Sequence, residues 1–334
     1  MRVPLSLLRN FVPVQVPVDE LARVMNGRVS EVEEVERAPS RGTFAGVRGV
    51  RLIEALEAQN GHTRWSTDAD ACIVVGDKFS VQAGGVYAAV LAGSSLPDGT
   101  AVGARAVAGL ASEGMLCSET HLGIGKEATR PLRIAAETVG SIYDILDLDD
   151  TVLSFDLEPN RPDLYSLAGM AHDVAAIWDL PYSEPPRQDL SGLPSLSRPS
   201  IDIQTPRARR YEAVLLESVS VGPSPQWLQN AVRKLGMRSI NNVVDAANLV
   251  MLETGQPLHT FDADRLNAET IVLRMAAPGE SITTLDGTSR VLTDECLLVC
   301  DGEVPVAIAG IMGDATSEVH AGTTRVLLEG AAFD

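Results

Sequence analysis

Residues 238–262 read RSINNVVDAANLVMLETGQPLHTFD, and the reading of this stretch decides the fold class. Val243, Val244, Ala247, Val250 and Met251 recur at helical spacing, which predicts a helix with one apolar face. Gly255 is placed to end that helix, because a left-handed backbone there costs glycine little. Asn248 falls one turn after Val244, beside the apolar face, where an amide needs hydrogen-bond partners. Just past the Gly-Gln-Pro turn stands His259, between Leu258 and Phe261. A histidine among apolar neighbours is ordinarily a hydrogen-bonded core residue, so the rest of the chain has to decide its role.

The chain has 334 residues, enough for two or three domains with a core in each. A hydrophobic fraction of 45% with 22% charged residues is ordinary for a globular protein. Aromatic residues make up only 4%, so platforms for stacking single-stranded bases have little to build on. The formal charge of −18 repels a phosphate backbone, and any nucleic-acid contact has to be local. Cys72, Cys117, Cys296 and Cys300 show no Cys-x-x-Cys spacing and read as reduced thiols. The opening MRVPLSLLRNFVPVQVP is broken by Arg9 and by prolines, so it reads as neither signal peptide nor membrane span. A cytoplasmic protein with no membrane association is the expectation.

Working outward, residues 1–40 read as a small α+β unit. Pro17 opens a helix through VDELARVMN that Gly27 ends, and RVSEVEEVE follows as a half-exposed strand. From Gly42 to about Val139, short Val/Ala/Gly-rich pieces alternate with turns such as PDGT (97–100), the pattern of a small barrel. TVLSFDLEP reads as a strand and NRPDLYSLAGMAHDVAAIW as a helix, with Leu164, Leu167, Ala171, Val174 and Trp178 on its apolar stripe. The Pro- and Ser-rich segment 183–200 is a linker. Beyond it come a strand near Arg210–Val219 and the helix SPQWLQNAVRKLG. Ser224 is its cap, Trp227, Leu228, Ala231 and Val232 are on its buried face, and Gly236 is its end. From Thr270 onward, IVLRM, SITTLDGTSRVLT, ECLLVCDGEVPVAIAG and RVLLEGA read as strands joined by tight turns.

No His-Glu-x-x-His, Gly-x-Ser-x-Gly or phosphate-binding loop is present, and GIGKEA (123–128) lacks the residues that would complete one. The histidines stand far apart, and no metal or cofactor is expected.

The ordered pieces EPNRPDLYSLAGMAHDVAAI (158–177), RSINNVVDAANLVMLETGQPLHTFD, LDG (285–287), VAIAGIMG (306–313) and VLLEGAAFD (326–334) closely resemble the bacterial phenylalanyl-tRNA synthetase beta subunit. SEGMLCSETHLGIG (112–125) and MRVPLSLLRNFVPV extend the resemblance over essentially the whole chain. It implies a multidomain α+β architecture. A split N-terminal domain (1–40 and 151–190) carries an inserted OB-type β-barrel (41–150), and a mixed α/β B3/B4-type editing module (201–334) follows. In that family the module hydrolyses tyrosine wrongly esterified to the phenylalanine tRNA. The resemblance assigns His259 and Asn248 to catalysis, and Glu329, Gly310, Ala309 and Ala247 to substrate binding, with Glu329 as the carboxylate that recognises the tyrosine hydroxyl. A buried acceptor without its donor is costly, so such a site can discriminate against phenylalanine.

Departures from the family pattern qualify what is implied. The barrel loops, within EAQNGHTRWSTDADACIVVGDKFSVQAGGVYAAVL, keep neither of the family's usual polar motifs. On an acidic chain this weakens tRNA as a partner. Ala247-Asn248-Leu249 replaces the usual Thr-Asn-Tyr, and His172-Asp173 replaces Arg-Glu. The match stops inside the editing module at Asp334, so this chain alone is not expected to charge tRNA. Three readings follow: a free-standing paralogue hydrolysing wrong aromatic aminoacyl esters or amides, a non-catalytic specificity partner or chaperone of a biosynthetic enzyme, and an N-terminal fragment of a true beta subunit. The drift in the barrel loops and the pocket favours the paralogue. The expected partners are an aromatic aminoacyl compound and a protein, either a synthetase alpha-like subunit or a biosynthetic enzyme.

Overall fold

Val152, Leu153 and Phe155 suit an extended, half-buried backbone, and the strand they form, Val152–Asp156, lies antiparallel between Arg2–Pro4 and Glu31–Glu36. The structure is a computed structural model describing residues 1–135, 141–184, 189, 198–267 and 269–334. These divide into two units, one of Met1–Arg9, Gln15–Leu157 and Pro225–Ser239, the other of Asn10–Val14, Glu158–Ser224 and Ile240–Asp334.

In the first unit the chain leaves the small sheet after Glu36 and builds a second one before returning at Val152. Its strands run in the order Gly114–Leu116, Val86–Leu91, Val47–Gln59, His62–Thr67, Cys72–Gly76, with Arg133–Ile134 also on Val86–Leu91. The two edges nearly meet, for the Glu113 amide donates to the Cys72 carbonyl and the Val74 amide to Ser112 Oγ. Val47, Ala88, Val90, Cys117 and Ile134 fill one side of this barrel-like sheet. The expected α+β class with a small barrel is what forms.

The second unit is built around two sheets. Ser200–Ile203, Thr270–Met275, Leu297–Asp301, Val304–Ile308 and Met312–Gly313 lie side by side, only the first pair being parallel. Val326–Phe333 runs antiparallel between Ala208–Leu216 and Leu258–Asp262. Alternate residues of the two sheets, among them Tyr211, Phe261, Leu327, Ile271 and Val299, form one core.

Several local readings need correction. Gly27 lies inside the helix Val18–Arg28 and does not end it. The segment after Arg161 is a 3-10 turn, Pro162–Tyr165, followed by the helix Leu167–Trp178, because Ser166 caps the latter by accepting from the Gly169 amide. Ser224 is not the N-cap residue: its hydroxyl donates to Asp245 at 2.5 Å, and the helix Gln226–Lys234 starts after Pro225. Trp227 is 63% exposed, and this helix buries Asn230, Arg233 and Lys234 along with Leu228, Ala231 and Val232. Val250 is exposed, whereas Asp245 on the same helix, Asn242–Thr254, is fully buried under the Ser224 hydroxyl and the Ile240 amide. Most of the 183–200 segment read as a linker lies outside the described residues.

Asn241 starts the helix Asn242–Thr254 by accepting the Val243 and Val244 amides. Asn241→Ala should cost about 1 kcal/mol in a denaturant titration, the usual worth of an N-cap.

Candidate functional site

The central strand Val326–Phe333 alternates core-facing and outward residues, and Glu329 shares the parity of Leu327 and Ala331, which line the core. His259 is its register partner on one side and Ala213 on the other. Residues opposed in an antiparallel pair stand on the same face with their Cβ atoms about 5 Å apart. The imidazole and the carboxylate are therefore neighbours on one face of the sheet, although seventy positions separate them in sequence.

Glu329 is 8% exposed. Its Oε2 accepts the Tyr211 hydroxyl at 2.8 Å, while Oε1 has no hydrogen-bond partner among the described residues and is not sealed from solvent. Burial pushes the Glu329 carboxyl up to about 7, against the Tyr211 hydrogen bond, which pulls it down. Burial and the adjacent carboxylate also raise the Tyr211 phenol, which stays a donor.

His259 is partly buried and meets Phe261 edge-on, with ring centroids 4.5 Å apart and an interplanar angle of 77°. Desolvation lowers its pKa, so the ring is neutral at pH 7. Neither ring nitrogen has a hydrogen-bond partner among the described residues, and neither is sealed. This is not the satisfied core histidine that apolar neighbours ordinarily signify. The ring fits because residue 313 is glycine: a Cβ there would stand 2.7 Å from His259 Nε2. Gly313→Ala should displace the imidazole and cost roughly 1–3 kcal/mol by overpacking. Urea unfolding, together with the loss of any His259-dependent activity, checks this.

Gly310, at a φ of +68°, makes the turn between Val304–Ile308 and Met312–Gly313, and its missing side chain faces Phe333 at 3.4 Å. Ala309 packs on the same core as Ala331 and Phe333. One turn thus reaches the Phe333 end of the central strand through Gly310 and the His259 ring through Gly313. Ala247 is buried and Asn248 partly buried on the helix Asn242–Thr254, which packs against Leu258–Asp262. No hydrogen bond joins Asn248 to His259 or Glu329. Tyr211 and Gly313 went unnoticed in the sequence. Tyr211 sits in an alternating apolar strand, where a phenol reads as core, and only its partner Glu329 distinguishes it. Among the described residues no group of three or more His, Cys, Asp or Glu side chains is arranged to hold a metal ion.

Residues 207–334 match the family model of the B3/4 domain. Over its whole length the chain is 39% identical to the phenylalanine–tRNA ligase beta subunit of Anaeromyxobacter dehalogenans (strain 2CP-C), covering 100% of this chain and 42% of that protein. The chain is a relative of the phenylalanine–tRNA ligase beta subunits. It is also 38% identical to the beta subunit of Moorella thermoacetica and 39% identical to that of Carboxydothermus hydrogenoformans, again over 100% of this chain and 43% and 42% of theirs. It thus spans about two fifths of the length of these beta subunits. A solved N-terminal fragment of the phenylalanyl-tRNA synthetase beta subunit from Pyrococcus horikoshii overlays 56% of this chain and 57% of the fragment, with a TM-score of 0.31 and 14% identity. The family resemblance read from the ordered motifs is borne out. Among the described residues of this beta-subunit relative, no helix is long and apolar enough to cross a membrane.

Proposed function

We propose that the B3/4 region of this chain is an editing-type hydrolase site for aromatic aminoacyl esters or amides, tRNA-linked or small. The observation carrying it is the register pairing of His259 with Glu329, each buried or partly buried and each holding an unmatched polar atom open to a ligand. An aminoacyl ester is already activated, so placing a water beside its carbonyl supplies much of the rate. The neutral His259 imidazole takes the water's proton as the water adds, and returns it to the departing alcohol. Glu329, held at Oε2 by Tyr211, offers Oε1 to a phenolic hydroxyl and so reads tyrosine against phenylalanine. Asn248, Ala247, Ala309 and Gly310 complete the substrate contacts in this reading. The partners it entails are an aminoacyl-tRNA or small aminoacyl compound and a synthetase alpha-like subunit, met in the cytoplasm. Aminoacylation itself is no part of the proposal.

Incubation with tyrosyl-tRNA and with small tyrosyl esters and amides tests it. Tyrosine release well above the uncatalysed rate is expected, and phenylalanyl substrates should react more slowly. A folded protein that accelerates none of these reactions ends the catalytic reading. One observation favours a binding role without hydrolysis: among the described residues no carboxylate is hydrogen-bonded to the His259 ring, as catalytic histidines commonly require. Tight binding of tyrosine derivatives without turnover would decide for that role.

A further inference from the structure

In the unit formed by Met1–Arg9, Gln15–Leu157 and Pro225–Ser239, a cavity of about 270 Å³ is lined by Arg2, Arg37, Arg233 and Lys234. Four cations around one small cavity are unexpected in a chain of formal charge −18, and three of them are accounted for. Arg2 pairs through both terminal nitrogens with Glu36 and donates Nε to the Lys234 carbonyl. Lys234 Nζ reaches Asp147 at 2.5 Å and Asp150 at 2.9 Å. Arg37 pairs with Asp19.

Arg233 is different. It is 9% exposed, and its Nη2 donates to the Leu146 carbonyl at 2.5 Å and to Asn230 Oδ1 at 3.2 Å. Its Nε and Nη1 have no acceptor among the described residues, and they are not sealed from solvent. The carboxylates that act on it electrostatically, Glu119 and Asp147, form no ion pair with it. A guanidinium held this deep without an ion pair is costly, and with Nη2 engaged its Nη1 and Nε hydrogens remain as single, separately directed donors that an oxyanion can accept.

We propose that this cavity is an anion site in which a phosphate oxygen accepts from the unengaged Nη1 of Arg233, under the field of the surrounding cations. Glu36, Asp147 and Asp150 also line it and are each engaged by a cation, so they limit the ligand to a compact group seated on Arg233. The site lies outside the His259–Glu329 pair and does not depend on the editing reading.

The test is thermal unfolding of the full chain in inorganic phosphate against chloride at equal ionic strength. Parallel titrations with a nucleoside monophosphate and a dinucleotide phosphodiester tell a free or terminal phosphate from a backbone one. A saturable rise in Tm with phosphate or the monophosphate is expected in the wild type, as is at least about a tenfold loss of apparent affinity in Arg233→Met. Where that variant fails to fold, because Arg233 also ties down the Leu146 carbonyl, Arg37→Ala keeps the test open. Arg37 is half exposed, and its loss should weaken the phosphate response several-fold. A response to the phosphodiester that also needs Arg233 supports the site with a backbone source. No saturable response in the wild type, or equal responses in wild type and both variants, overturns the proposal and leaves Arg233 as a structural strap.

Discussion

At pH 8, above the value of about 7 to which burial pushes the Glu329 carboxyl, Glu329→Ala should lower the preference for tyrosyl over phenylalanyl esters by about ten- to a hundredfold, the worth of one hydrogen bond to a charged acceptor. The carboxylate is nine-tenths buried and already committed at Oε2 to Tyr211, so only Oε1 is available to a substrate hydroxyl. Alanine removes that acceptor and makes little difference to a plain phenyl ring. The ratio of kcat/KM values for matched tyrosyl and phenylalanyl esters is the measurement, since a fold defect lowers both alike. Tyr211→Phe should reduce the ratio less. It leaves the carboxylate in place but frees it to rotate, and it removes the hydrogen bond that favours the charged form. If the ratio is untouched by Glu329→Ala, Glu329 supports the sheet and does not read the ring.

How much of this was legible in the sequence depended on sequence distance. The helix Asn242–Thr254 and its stop at Gly255 came from local periodicity and turn chemistry, which short segments carry by themselves. His259 and Glu329 entered as candidates through a resemblance of ordered motifs, not through any spacing that required them to meet. That they are cross-strand partners is a fact of register, which pairs residues across the whole unit and leaves no local trace. Tyr211, further still from Glu329 along the chain, was invisible for the same reason. Where periodicity misled, buried polar groups were the cause. Trp227 was placed inside by hydropathy, but its helix turns Asn230, Arg233 and Lys234 inward, each satisfied in part by backbone or carboxylate oxygens. Val250 yielded the buried face of its helix to Asp245 similarly, because Ser224 and the Ile240 amide make that carboxylate affordable in the core.

Glu329 should also give the protein a measurable stability change across neutral pH. Its carboxyl is pushed up to about 7 in the folded chain from an ordinary 4.5. Below the lower value it is protonated whether the chain is folded or not, and burial carries no ionic penalty. Between the two values the folded protein holds a proton that the unfolded chain has lost, so stability falls as pH rises. Above the folded value both states are ionised and the full penalty stands. Between pH 5 and pH 8 this one group should cost about 2–3 kcal/mol. His259 acts in the opposite direction, because its lowered pKa makes the folded state lose stability as pH falls below the ordinary imidazole range. The net profile therefore mixes the two, and the difference between wild type and Glu329→Gln isolates the carboxylate. Glutamine cannot ionise yet still accepts the Tyr211 hydroxyl. Urea unfolding should find the two proteins similar at pH 5 and the variant more stable at pH 8. A difference that does not change with pH would mean that Glu329 ionises freely, and a carboxylate so easily charged is not the desolvated group on which the reading of tyrosine rests.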